Sequence, residues 1–116
     1  MRRLPDIATL RAAWWTDRAL RRVRADLRGG ALREVALPAP PRLPAGAERG
    51  VRAVLRRRGH SCLERSLVLQ RWLASHGDAR DVVIGTTGPA GFKAHAWLDG
   101  DEDGAARFVE LSRLPP

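Results

Sequence analysis

The stretch Gly59-His60-Ser61-Cys62-Leu63-Glu64-Arg65-Ser66-Leu67 decides the fold. Ser61 is a preferred N-cap, and Glu64 follows three residues later, the spacing of a capping box. The pattern predicts a helix that begins at Cys62 and runs to about Ser75, with Gly77 as its stop. At the first helical position the free amide N–H groups and the helix dipole favour an anion. Cys62 is also the only cysteine in the chain. A lone thiol in that place is a candidate nucleophile; the competing reading is a small buried hydrophobe without chemistry. Leu63, Leu67 and Gln70 lie on one stripe of this helix, and Ser66, Leu69 and Leu73 on another, with Trp72 nearby. Apolar residues on more than one stripe mean burial on several sides, so this helix is expected at the centre of the fold.

Upstream of the cysteine the chain reads as helical. Ile7, Leu10 and Trp14 form one i, i+3, i+7 run and Leu20, Val23 and Leu27 another, which predicts a first helix over about 7–28. Gly29-Gly30 ends it. Four prolines between Pro38 and Pro44 impose an extended, polyproline-like connector. A short helix over roughly 47–58 follows, with Val51, Val54 and Leu55 turned inward and Gly59 as terminator.

Downstream the periodicity changes. Asp81-Val82-Val83-Ile84-Gly85-Thr86 reads as a strand. Phe92 to Leu98 alternates, with His95 and Trp97 on one face. Gly100-Asp101-Glu102-Asp103-Gly104 reads as a hairpin turn, with Arg107 to Leu111 returning as its partner strand. Helices first and an antiparallel meander after them define an α+β fold: N-terminal helices, then a central helix carrying the cysteine, packed on a small antiparallel sheet. Residues 1–45 are read as an N-terminal helix with its proline-rich connector and 46–116 as the catalytic core, within a single domain overall.

The 116 residues suit one small domain with a modest core. One cysteine excludes an intrachain disulfide and any multi-cysteine zinc site, and the cytosol is the expected compartment. No metal or cofactor is called for. No apolar run reaches the length of a membrane span, and the N-terminus lacks a signal-peptide core. Charge is unevenly placed. Residues 1–60 hold fifteen arginines against five acids, a net of +10, whereas residues 61–116 hold six basic and eight acidic residues, a net of −2. A basic half can mark a nucleic-acid or acidic-partner surface. No aromatic residue is interleaved with the arginines between Arg18 and Arg58, which removes the stacking expected of a single-strand binder. Solvated helix faces are the preferred reading, and no nucleic-acid partner is expected.

A cysteine nucleophile needs a base and a group that orients the base. His60 stands two residues before Cys62, with nothing in the sequence to orient it. His76 lies about 21 Å away along the same helix, which excludes it. His95 sits on a strand, a rigid platform for an imidazole. If the 100–104 hairpin pairs symmetrically, Glu110 faces His95; the alternative register sets Glu110 opposite Trp97. Either way Glu110 shares the His95 face within about 5 to 8 Å. Asp99 shares that face as well but stands about 13 Å along the strand, so Glu110 is the expected orienter and Asp99 the reserve.

Cys62-Leu63-Glu64-Arg65-Ser66-Leu67, Val83-Ile84-Gly85, Phe92-Lys93-Ala94-His95-Ala96-Trp97 and Phe108-Val109-Glu110-Leu111, taken together, resemble a lasso-peptide leader peptidase. The similarity is to the stand-alone peptidase half of the microcin-processing protein B family, within the transglutaminase-like cysteine protease superfamily. It spans about Leu32 to Leu114. The resemblance implies a papain-like core with Cys62, His95 and an acid as catalytic triad. The acid in that superfamily is commonly Asp, so Glu110 departs in residue type. The implied reaction is hydrolysis of one peptide bond in the precursor, commonly after a leader with Thr at its penultimate position. This frees the core N-terminus for macrolactam closure by a separate ATP-dependent cyclase. The backbone amide of Cys62 is the candidate oxyanion donor. No separate leader-recognition domain is expected before the catalytic segment. The resemblance therefore implies a separate leader-recognition protein as partner, the precursor as substrate and the cyclase as a further candidate partner. Trp14, Trp15, Arg21 and Arg22 are the expected docking surface. Two other functions fit the residues: a transglutaminase-like acyltransferase, and a basic non-catalytic adaptor or nucleic-acid-binding module in which Cys62 is only packed.

Overall fold

The computed structural model describes the whole chain except residues 1–5, 31, 58, 88–93 and 102–107. Contacts divide it into two compact units, residues 1–60 and 61–116. Residues 46–60, grouped with the core in the sequence reading, fall in the first unit.

In the first unit, helix α1 spans Ile7–Arg28. Asp6 caps it, its carboxylate accepting from the Thr9 amide at 2.8 Å. Hydrogen bonding from Thr9 holds the Asp6 carboxyl below its ordinary range. The chain leaves α1 through Gly29 and then Gly30, whose φ of +76° is the left-handed conformation that glycine adopts freely. The buried face of α1 carries Ala12, Trp15, Ala19, Leu20 and Val23. Ile7, Leu10 and Trp14, the other apolar run, face solvent at 77, 55 and 64 % exposure. Their periodicity is helical, but the face they mark is the wet one.

Helix α2 spans Glu48–Leu55 and packs on α1. Val51, Val54 and Leu55 are buried, as their spacing predicts. The crossing is close because Gly50 lies directly against the Thr9 main chain, and a methyl at Gly50 would overlap the Thr9 carbonyl. The proline-rich segment is anchored to α1 where Trp15 Nε1 donates to the Pro38 carbonyl at 3.1 Å.

The second unit holds helix α3, Cys62–Ser75, and strands β1 (Val82–Thr86), β2 (Ala94–Leu98) and β3 (Val109–Leu114). The helix starts at the expected residue. Ser61 Oγ accepts from the Glu64 amide at 3.1 Å, and the Glu64 carboxylate accepts from the Ser61 amide at 2.8 Å. At the other end Gly77 takes φ +85° and the Asp78 amide returns to the Leu73 carbonyl at 2.9 Å, a Schellman closure.

The sheet is antiparallel, as expected, with strand order β2-β1-β3. This corrects the expected pairing of the last two strands as a hairpin: β1 lies between them. Val82 and Val83 are both buried, so β1 needs cover on both faces and takes the middle position. The expected hairpin turn falls largely on residues 102–107, outside the described residues. Val82 pairs with Leu98 on one side and Leu114 on the other, giving one buried row across all three strands. Gln70 of α3 ties this unit together, its Nε2 donating to the carbonyls of Arg80 and Leu114 at 2.9 and 2.8 Å.

Candidate active site

Cys62 occupies the first position of α3 and is partly buried. There its own amide has no intrahelical acceptor, the geometry a helix N-terminus offers to a developing oxyanion. The thiol meets β2 at the strand's outer border. Alternate residues of an antiparallel strand turn their N–H and C=O away from the partner strand, and Ala96 is such a residue. Its amide donates to Cys62 Sγ at 3.4 Å, and its carbonyl accepts from Ser66 Oγ at 3.3 Å. Two α3 side chains one turn apart therefore satisfy both outward groups of one β2 residue.

That contact brings the sulfur beside His95. The two covalent bonds from the Ala96 nitrogen back to the His95 Cα add at most about 2.9 Å. Sγ therefore lies within about 6.3 Å of that Cα, a span an imidazole side chain can cover. The His95 side chain is half-buried, and its ring stacks on Trp97 and Phe108.

The expected acids lie elsewhere. His95 pairs with Gly85 of β1, and Gly85 pairs on its other side with Glu110 of β3. His95 and Glu110 therefore share a sheet face but are separated by a full strand, about 10 Å at two interstrand spacings. The adjacency inferred from a β2–β3 hairpin is lost with that hairpin. A β-bulge at Ile84/Gly85 shifts the parity of β3, so that Glu110 and Arg113, three residues apart, fall on the same face. Arg113 then grips Glu110 through two hydrogen bonds of 2.8 Å and Asp99 through one of 2.9 Å. Hydrogen bonding to Arg113 holds the Glu110 carboxyl below its ordinary range, and the two carboxylates raise that of Arg113. Among the described residues no hydrogen bond joins Glu110 or Asp99 to His95.

The other two histidines are engaged structurally. Arg24 donates to His60 Nδ1 at 2.9 Å and to the Gly59 carbonyl at 3.0 Å. His76 donates from Nδ1 to the Trp72 carbonyl at 2.8 Å and stacks on the Trp72 ring at 4.2 Å. Of the expected docking residues, Trp15 is 3 % exposed and holds Pro38, so it is not surface. Trp14 is exposed beneath the Arg18 guanidinium, which lies 4.8 Å from its ring centroid. Arg21 and Arg22 are exposed and paired with Asp17 and Asp26. Sequence reasoning passed over Arg113, the Ala96 amide and the role of Ser66. The last was signalled by its position four residues after Cys62. Among the described residues no group of three His, Cys, Asp or Glu side chains could hold a metal ion, and no helix is long and apolar enough to cross a membrane.

A cysteine at a helix tip, bonded to the strand that carries a histidine in an antiparallel sheet, is an arrangement suited to acyl transfer through a thioester. Residues 6–110 match the model of the transglutaminase-like superfamily. The chain belongs to that superfamily, which includes cysteine proteases. No curated protein and no solved structure matches it.

Proposed function

We propose that the protein is a cysteine endopeptidase that removes the leader from a lasso-peptide precursor, using Cys62 and His95 as its reacting pair. The observation that supports this most directly is the 3.4 Å contact between the Ala96 amide and Cys62 Sγ, one residue from His95. In the proposed reaction the Cys62 thiolate attacks the scissile carbonyl, and the Cys62 amide donates to the oxyanion. His95 protonates the leaving amine, then takes a proton from the water that hydrolyses the thioester. Glu110 joins as third member only by exchanging Arg113 for His95, and Asp99 stands four residues beyond His95 in the chain, with one oxygen on Arg113. Among the described residues, the geometry favours the pair over a triad completed by Glu110 or Asp99.

The exposed α1 face with Trp14, Arg21 and Arg22 is the proposed docking surface for the leader or for a separate leader-binding protein. Arg21→Glu with Arg22→Glu is expected to weaken that binding, and unchanged binding would sink the assignment. The cytosol remains the proposed compartment and the cyclase a proposed partner.

Mass spectrometry of a lasso precursor incubated with the protein and its leader-binding partner tests the reaction. Two fragments that together gain one water, absent with Cys62→Ala and His95→Ala, are the expected result. An amine-adduct product instead would assign the acyltransferase reading. Intact precursor, with Cys62→Ala leaving salt-sensitive binding to a polyanion unchanged, would assign the adaptor.

A further inference from the structure

Three rings meet above Gly85. His95 and Trp97 centroids lie 5.8 Å apart, His95 and Phe108 5.0 Å, and Trp97 and Phe108 5.7 Å. These nearly equal separations describe a closed triangle in which the imidazole touches both neighbours. Gly85 lies beneath it, paired with His95 on β2 and with Glu110 on β3.

The glycine is not there for its backbone, since it is not among the positive-φ residues. Its need is space. A Cβ at Gly85 would come within 2.8 Å of Trp97 Cη2, 2.8 Å of the Val109 carbonyl and 3.1 Å of Phe108 Cβ. The indole tip and the start of β3 thus close over a position that only a bare backbone leaves open. His95 thus packs on Trp97 and Phe108, while both Glu110 oxygens stay on Arg113.

We propose that Gly85 is a positioning residue: by leaving the sheet face bare it seats the Trp97–His95–Phe108 triangle, and that packing, not Glu110, sets the plane of the imidazole beside Cys62. The catalytic half of this inference rests on the leader-peptidase reading, whereas the geometric half stands on the rings alone.

Proton–carbon NMR of the His95 ring separates the two. In the wild-type protein the His95 ring protons are expected to be shifted by the neighbouring ring currents away from free-imidazole values. Phe108→Leu, which keeps apolar volume but removes one ring, moves them back; Gly85→Ala moves them as well; Glu110→Gln leaves them in place. With precursor as substrate, Phe108→Leu lowers kcat by roughly tenfold to a hundredfold, as a small misplacement of a reacting group does, with KM little changed. Ring shifts that respond to Glu110→Gln but not to Phe108→Leu overturn the inference, whatever the activity. Ring shifts that behave as expected in a protein that cleaves no precursor uphold the geometry and remove the peptidase reading instead.

Discussion

The Ala96 amide donates to the Cys62 sulfur, and the carbonyl of the same residue accepts from Ser66, so two side chains of α3 are bonded to one residue of β2. Ser66→Ala leaves a buried carbonyl without its partner. The expected loss is about 1–2 kcal/mol of unfolding free energy, read from urea denaturation. A variant as stable as wild type would mean that the 3.3 Å contact carries no weight.

The capping box fixes where α3 begins and therefore where the thiol sits. Ser61→Ala removes the acceptor for the Glu64 amide and is expected to cost about 1 kcal/mol. Circular dichroism should show the same fold with an earlier melt. Iodoacetamide labelling of Cys62 under native conditions should change rate, because the helix tip frays.

Adjacent tryptophans should behave in opposite ways. Trp15→Ala empties a buried site and frees the Pro38 carbonyl, and a loss of about 3–5 kcal/mol is expected. Trp14→Ala on the exposed face should stay within about 0.5 kcal/mol of wild type. Equal losses at both positions would contradict the burial pattern of α1.

Glycines in the first unit offer a second contrast. At Gly50 a methyl has no room against the Thr9 carbonyl, so Gly50→Ala is expected to cost about 1–3 kcal/mol or more through overpacking. At Gly46 nothing lies within 4 Å, and Gly46→Ala should be close to neutral. Thermal melts of the two variants side by side test this.

The Glu110 carboxyl is held low by Arg113. A depressed folded-state value means that the pairing stabilises the fold above the ordinary carboxylate range and is lost as pH falls through the folded value. Carbon-detected titration should show Glu110 below the ordinary glutamate value of 4.5 in the wild type. It should move upward in Arg113→Gln, where acid unfolding should lose part of its dependence on this group. An unchanged titration in Arg113→Gln would show that the ion pair does not form in solution.

The helices were largely legible because their signals are local. Ser61 and Glu64 announce α3 within four residues, and Gly29-Gly30 ends α1 as glycines do. Which face of α1 is buried was less legible, because Ile7, Leu10 and Trp14 repeat as regularly as a core stripe would. Strand order was misread because pairing is non-local and consecutive strands usually neighbour each other. The counter-signal was present in Val82-Val83-Ile84, an unbroken apolar run of the kind a central strand carries, and in the long segment between Leu98 and Val109. The bulge that brings Glu110 and Arg113 onto one face has no sequence signature as plain as a capping box. The fate of the expected acid therefore became visible only with the register.

The border of a sheet is a standing invitation to any extended chain nearby, since its unspent N–H and C=O groups are a template for one more strand. On the β2 side that invitation is withdrawn at Ala96, where a thiol and a hydroxyl from α3 hold the two groups a newcomer would need. The residue proposed to attack peptide bonds thus also helps keep a foreign peptide from joining the sheet as a strand at that border.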